Sequence, residues 1–209
     1  MQVRPLFGAV FVGLVAATAA GGLSPPPLHG IPTDPDETRL LNKRTIHIPI
    51  AGCVTGSFAK AFAVLRETNL LDRIQSAYAT QLPPGQKPEF VVHSVAPGRY
   101  YYVNKDNERC DLRELWRQTD SNGWFQVAFH VRGERAFGPF ESLIYLTVAH
   151  NAAAPPDVLN YTADVRAWPH AAWARILVRV LPGVELYFRL KTAEMRGIIM
   201  RVFARLVSA

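Results

Sequence analysis

From residue 124 to 131 apolar and polar positions alternate without a break. Phe125, Val127, Phe129 and Val131 fall on one side, and Gln126, Ala128, His130 and Arg132 on the other, which is the two-residue period of a strand with one covered face. The same period recurs at 90–95, 99–103, 110–117, 140–149 and 158–167. Turn residues separate the runs at Pro97-Gly98, 104–107, Asn122-Gly123 and 133–139. Connections this short cannot cross over a sheet, so these successive strands pair antiparallel. Upstream, Ile46, Ile48 and Ile50 share one side of a further short strand, and Pro49 on its other side confines that strand to an edge or to its own end.

Between the first strand and the rest the period changes. Thr55-Gly56-Ser57 offers a helix cap, Phe58, Phe62 and Leu65 recur at helical spacing, and the stripe then shifts to Leu70 or Leu71, Ile74 and Tyr78. The break at Thr68-Asn69 predicts two short helices, and Pro83-Pro84-Gly85 stops the second. After Trp168-Pro169 the helical period returns and is interrupted at Pro182-Gly183. Val184, Phe188, Met195, Ile199, Val202, Phe203 and Leu206 then form one stripe, with Arg189, Lys191, Arg196, Arg201 and Arg205 off it. The pattern predicts an α+β fold: a curved antiparallel sheet of about seven strands wrapped around a long C-terminal helix, with two short helices after the first strand.

At 209 residues and 49% hydrophobic content the chain suffices for one well-buried domain. Its start reads as a signal peptide over 1–20: Arg4, an apolar core from Leu6 to Ala17, then small residues. Gly8 and Gly13 break the apolar run, which falls short of the roughly 20 residues of a bilayer span. Residues 21–43, rich in Pro and turn formers, are expected to be an extended leader, and 44–209 the folded domain. Ile50-Ala51-Gly52-Cys53 looks like a lipoprotein box, but the six residues between Lys43-Arg44 and that box hold His47 and Pro49 and make no signal core. Secretion or periplasmic location follows from the signal peptide. In an oxidising compartment Cys53 and Cys110 are expected to form a disulfide worth about 4 kcal/mol, two buried free thiols being the alternative.

Net charge is +6, and 166–209 accounts for it, with eight Arg or Lys against Glu185 and Glu194. Two readings of the last helix follow. Its stripe packs on the sheet with the arginines solvated, or the helix meets an anionic membrane surface. Nucleic acid is not expected as a partner of an exported chain.

Chemistry-bearing motifs are few. The histidines at 29, 47, 93, 130, 150 and 170 form no HxH or HxxxH pair, so neither a metal nor a cofactor is expected, and His130 on the polar side of its strand reads as solvated. No GxSxG, GxGxxG or GxxxxGK[ST] occurs. Strict alternation puts Glu114 and Trp116 on one strand face. If that face is inward, Glu114 is a buried carboxylate that orients a ligand or moves a proton, and a cross-strand salt bridge is the plainer alternative. Tyr100-Tyr101-Tyr102 places rings on both faces, and Asn160-Tyr161-Thr162 is a sequon that matters only in a eukaryotic secretory pathway.

The order of elements, the hairpin and apolar strand RGERAFGPFESLIYLTV and the closing LPGVELYFRLKTAEMRGIIMRVFARL together resemble the START-like superfamily (SRPBCC, helix-grip), which includes polyketide cyclase and dehydratase-like proteins. The resemblance spans roughly 45–208. It implies a cavity between sheet and last helix that holds a lipid or other apolar small molecule. Trp116, Glu114, Tyr101, Phe125, Val127, Phe129, Ile144, Leu146, Phe188 and Met195 are the expected contacts. Pattern alone does not separate such a cavity from a packed core, since both need an apolar inward face. A cyclase or dehydratase would need at least two of Glu114, His93, His130, Asp111 and Tyr101 in one pocket. A surface-acting protein would instead have a filled sheet face and an apolar patch elsewhere.

Overall fold

The computed structural model describes residues 32, 34–44, 46–120, 124–135, 138–150, 158–180 and 183–208, apart from the side chains of 120, 177–180 and 183–185. The signal peptide, the first part of the leader, the turn at Asn122-Gly123 and the break at Pro182 lie outside the described residues. In chain order the elements are α1 (Pro35–Leu41), β1 (Ile46–Thr55), α2 (Phe58–Arg66), α3 (Leu70–Gln81), β2 (Phe90–Ala96), β3 (Arg99–Asn104), β4 (Arg109–Asp120), β5 (Trp124–Arg135), β6 (Gly138–His150), β7 (Val158–Pro169), α4 (Ala172–Val180) and α5 (Gly183–Ser208).

The strands make one antiparallel seven-stranded sheet in the order β1-β7-β6-β5-β4-β3-β2. Pro49 is therefore on an edge strand, opposite Asp164, where its missing N–H costs no ladder bond on the open side. Ser57 caps α2, its hydroxyl accepting from the Lys60 N–H, and α2 and α3 lead from the β1 edge to the β2 edge. Ala96 pairs Arg99 across the Pro97-Gly98 turn, where Gly98 adopts φ +69°, a conformation costly for any residue with a Cβ. At the far end Ser57 N–H donates to Val207 O at 3.0 Å and ties the α5 C-terminus to the start of α2. A Cβ at Gly56 would run into the Val207 side chain, so glycine is what allows that approach.

Register assigns the faces. Leu112, Val131, Ser142, Ala167 and Ile46 form one row of the inner face, and Phe129, Ile144, Val165 and Ile48 the next. Helix α5 packs over this face and buries Phe188, Ile198, Val202, Phe203 and Val207 against it. The outer face was expected to be solvated, and near its centre it is not. A second, smaller apolar cluster of Leu40, Ala128, Leu143 and Tyr145, with Trp116 and Trp168 beside it, lies under α1.

That helix corrects the expected extended leader. Asp34 is its N-cap, accepting from the N–H groups of Asp36 and Glu37, Pro35 opens it, and Asp36 and Glu37 complement the dipole in its first turn. The Pro-rich composition around 24–39 concealed a complete helix start. His130 is corrected with it: 3% exposed, it is roofed by α1 rather than solvated.

The expected disulfide is absent, for a topological reason. Cys53 is opposite Asn160 and its row continues through Ala149 and Trp124 to Asp120, whereas Cys110 is opposite Gly133, whose row runs to Phe140 and Pro169 at the other end of the strands. Three strands also separate β1 from β4, at about 4.8 Å each, far beyond the roughly 7 Å that a bridge tolerates between Cα atoms. Both thiols are free, Cys53 exposed and Cys110 buried.

Candidate functional site

Between the inner face of the sheet and helices α3 and α5 lies a cavity of about 300 Å³. Its walls are Phe129, Ile144, Leu146 and Val165 from the sheet, Leu70 and Ile74 from α3, and Phe188, Met195, Ile198 and Phe203 from α5. These side chains point inward by strand or helix period and leave space among them, although sheet and helix do touch where the Phe140 and Phe188 rings meet edge to face. Charged residues sit on its border, among them Glu89, Lys105, Lys191 and Glu194, and they pair with one another as Lys105–Glu89 and Lys191–Glu194.

Of the expected contacts, Phe129, Ile144, Leu146, Phe188 and Met195 are brought together here. Phe125 and Val127 share the face but are fully buried in packed core and do not reach the cavity. Tyr101 is on the outer face, stacked on His93 with ring centroids 4.6 Å apart and covered by the Arg109 guanidinium.

Glu114 and Trp116 do not share a face. A bulge between them shifts the register, so that Glu114 is opposite Phe129 and Trp116 opposite Ala128. Trp116 consequently points outward, and its Nε1–H is shared between the Glu37 carboxylate oxygens at 3.2 and 3.3 Å. Glu114 faces inward but is held by Arg117, which donates Nε–H and Nη2–H to its two oxygens at 2.9 and 2.7 Å. Arg117 also donates to the carbonyls of Leu65 and Glu67, so the pair fastens the end of α2. Glu114 is thus in a salt bridge, but within β4 to Arg117 rather than across strands as expected.

None of Glu114, His93, His130, Asp111 and Tyr101 lines the cavity. Its polar end is made by Tyr102, from the tyrosine cluster, and by Arg135, which the sequence did not single out. Strand β5 continues through the stretch read as a turn, so Arg135 keeps the inward parity of Val131. Its Nη2 donates to the Tyr102 hydroxyl and to Cys110 Sγ, both at 3.1 Å, and its guanidinium lies over the Phe140 ring. Burial opposes the charge on Arg135, yet its pKa is raised overall, with the Glu108 carboxylate among the causes, and the group stays cationic. Burial also pushes up the Tyr102 hydroxyl and the Cys110 thiol, keeping both neutral. The two-residue spacing from Val131 was the available signal for Arg135.

Under α1 a second polar cluster forms. Arg113 donates to Asp34 and Asp36, Arg132 to Asp36 and Glu141, and Tyr145 OH to Glu37 at 2.9 Å. His130 sits between Asp36 and Glu141, with Nδ1 3.5 Å and Nε2 3.3 Å from their oxygens, and Nε2 lacks hydrogen-bond geometry. These groups pair with one another and attach α1 to the sheet, and an open cleft between Asp36, Arg39, Arg132, Pro139, Glu141 and His170 lies beside them. Among the described residues no three His, Cys, Asp or Glu converge as a metal site, and no helix is long and apolar enough to cross a membrane.

No protein-family model matches the chain, and no curated protein matches it. Solved structures do. A hypothetical protein from Helicobacter pylori superposes with a TM-score of 0.50 at 10% identity, over 81% of this chain and 93% of its own. A conserved protein from Geobacillus kaustophilus gives 0.48 at 13% identity, over 76% and 95%. Such identities speak to fold alone. The seven-stranded antiparallel sheet gripping a long C-terminal helix fits the helix-grip arrangement.

Proposed function

We propose that this chain is an exported, non-enzymatic binding protein that holds an apolar small molecule or lipid between its sheet and α5. The observation that carries this reading is the cavity of about 300 Å³, bounded by side chains that in a packed core would touch. That volume is twice the roughly 150 Å³ hollow that stays dry and takes a benzene ring, and it stands at the lower end of ligand pockets. The enzyme alternative loses support, because the groups proposed for acid and base work are spread over the outer face or locked in an ion pair.

Native mass spectrometry of the protein purified from its own host, before and after solvent extraction, tests the reading. A discrete extra mass that vanishes on extraction is expected. A bare polypeptide that also stays bare after incubation with a lipid mixture would refute it. Export is tested on the same material: the mature N-terminus should fall near residue 21, and an intact Met1 would rule out cleavage.

One observation favours a second reading, contact with an anionic membrane surface. Trp173 and Ile176 on α4 and Leu186 and Leu190 on α5 are all more than half exposed, in the segment that carries the net positive charge. Co-flotation with vesicles containing phosphatidylserine, and not with neutral vesicles, would support it.

A further inference from the structure

The cavity is not uniformly apolar, and Arg135, the one buried cation among the described residues that line it, is oddly served. Only 8% of the Arg135 side chain is exposed. A guanidinium taken out of water loses several kcal/mol of solvation and is normally met by a well-placed carboxylate. Here, among the described residues, the outward edge has a single ion contact, Nη1 to Glu108 Oε2 at 3.3 Å, beside a bond to the Glu134 carbonyl. Glu108 Oε2 is itself engaged by Asn104 Nδ2 at 2.7 Å. The inward edge has two neutral acceptors, the Tyr102 phenol and the Cys110 thiol. Sulfur is a weak acceptor, and neutral partners give about half the strength of charged ones.

The surroundings maintain this geometry. A Cβ at Gly133, the inward position between Val131 and Arg135, would collide with Cys110 Sγ and the Phe140 ring, so its absence lets both crowd beneath the guanidinium. Tyr102 and Arg135 both border the cavity, and Phe129, Ile144 and Met195 line its apolar remainder.

We propose that the ligand is an apolar monocarboxylic acid, its carboxylate seated on Arg135 and the Tyr102 hydroxyl and its hydrocarbon body among the inner-face side chains. This rests on the reading of the cavity as a ligand site. A carboxylate gives the inward N–H groups the charged, planar acceptor they lack, and Tyr102 turns its O–H to donate to the second oxygen. An alcohol or ester of the same length fills the cavity equally well and leaves Arg135 on its neutral partners.

The test uses the full chain and a neutral fluorescent reporter, N-phenyl-1-naphthylamine, displaced at pH 7 by decanoate, decanol or methyl decanoate. All three should displace it, decanoate by roughly tenfold or more the tightest. In Arg135→Gln the three should converge within about twofold, through loss of decanoate affinity alone. Equal affinities on the unmodified protein, or a preference that survives Arg135→Gln, would overturn the acid assignment while leaving the cavity occupied. Failure of the reporter and of every ligand to bind, checked by calorimetry, would overturn the cavity reading and this inference with it. Should Arg135→Gln not fold, Tyr102→Phe keeps the ring and is expected to narrow the preference, and the ligand series on the unmodified chain decides alone.

Discussion

Arg39 and Glu141 face each other in a bidentate ion pair, Nη1 to Oε2 and Nη2 to Oε1 both at 2.8 Å, which joins α1 to the outer face of β6. Glu141 is buried there, and His170 and Arg132 share its oxygens. The segment preceding the sheet is thus fastened by charge on top of the small apolar contact of Leu40. Arg39→Ala is expected to cost about 1.5–3 kcal/mol, the range for hydrogen bonds to charged groups, measured by urea unfolding. Limited proteolysis should then cut within 34–44 first, and unchanged resistance there would show that the pair does not hold α1.

The same cluster sets the acid response. Burial would raise Glu141, but the bonds and charge of Arg39, with His170 and His130, hold it at about 2 against an ordinary 4.5. Its contribution is complete above 4.5 and is lost as pH falls through about 2. His130 is shifted down from 6.5, first by burial and then by Arg132 and Arg113, against the opposing pull of Asp36 and Glu141. The unfolded chain therefore takes up that proton more readily, and stability declines as pH drops below 6.5. Both slopes have the same sign. Unfolding measured from pH 7 to 3 should show a decline in two stages, and His130→Gln should flatten the upper stage while leaving the lower.

Cavity and core should separate under tryptophan substitution at two positions. Leu146→Trp places an indole into empty space and is expected to cost under about 1.5 kcal/mol while abolishing reporter binding. Val127→Trp, on the same sheet face and paired with Leu146, overfills packed core and should cost about 1–3 kcal/mol or more. Equal costs for the two would mean that the cavity has closed.

The cysteines give a direct check on register. Thiol titration of the native protein should label Cys53 at once and Cys110 only on unfolding, since Cys110 is fully buried and its thiol is pushed up by that burial. A mass two protons short of the reduced chain would contradict the strand order.

The sheet, the two short helices and the closing helix were legible because each depends on a local period. Phe125, Val127 and Phe129 declare a strand face whatever covers it, and Pro49 declares an edge. Relations across the sheet were not legible. A single bulged residue at Leu115 reverses the parity between Glu114 and Trp116, and no local pattern announces it. The distance from Cys53 to Cys110 depends on strand order, which the spacing of two cysteines does not encode. Asp34-Pro35-Asp36-Glu37 carried a readable helix start, yet its landing place over His130 depends on charges that lie far along the chain. The sequence by itself determined which residues turn inward, because strand and helix periods are properties of neighbours. Only the tertiary structure decided which of those residues meet and which stand apart around a cavity, because that depends on how far sheet curvature holds α5 from the inner face, a sum over many distant contacts.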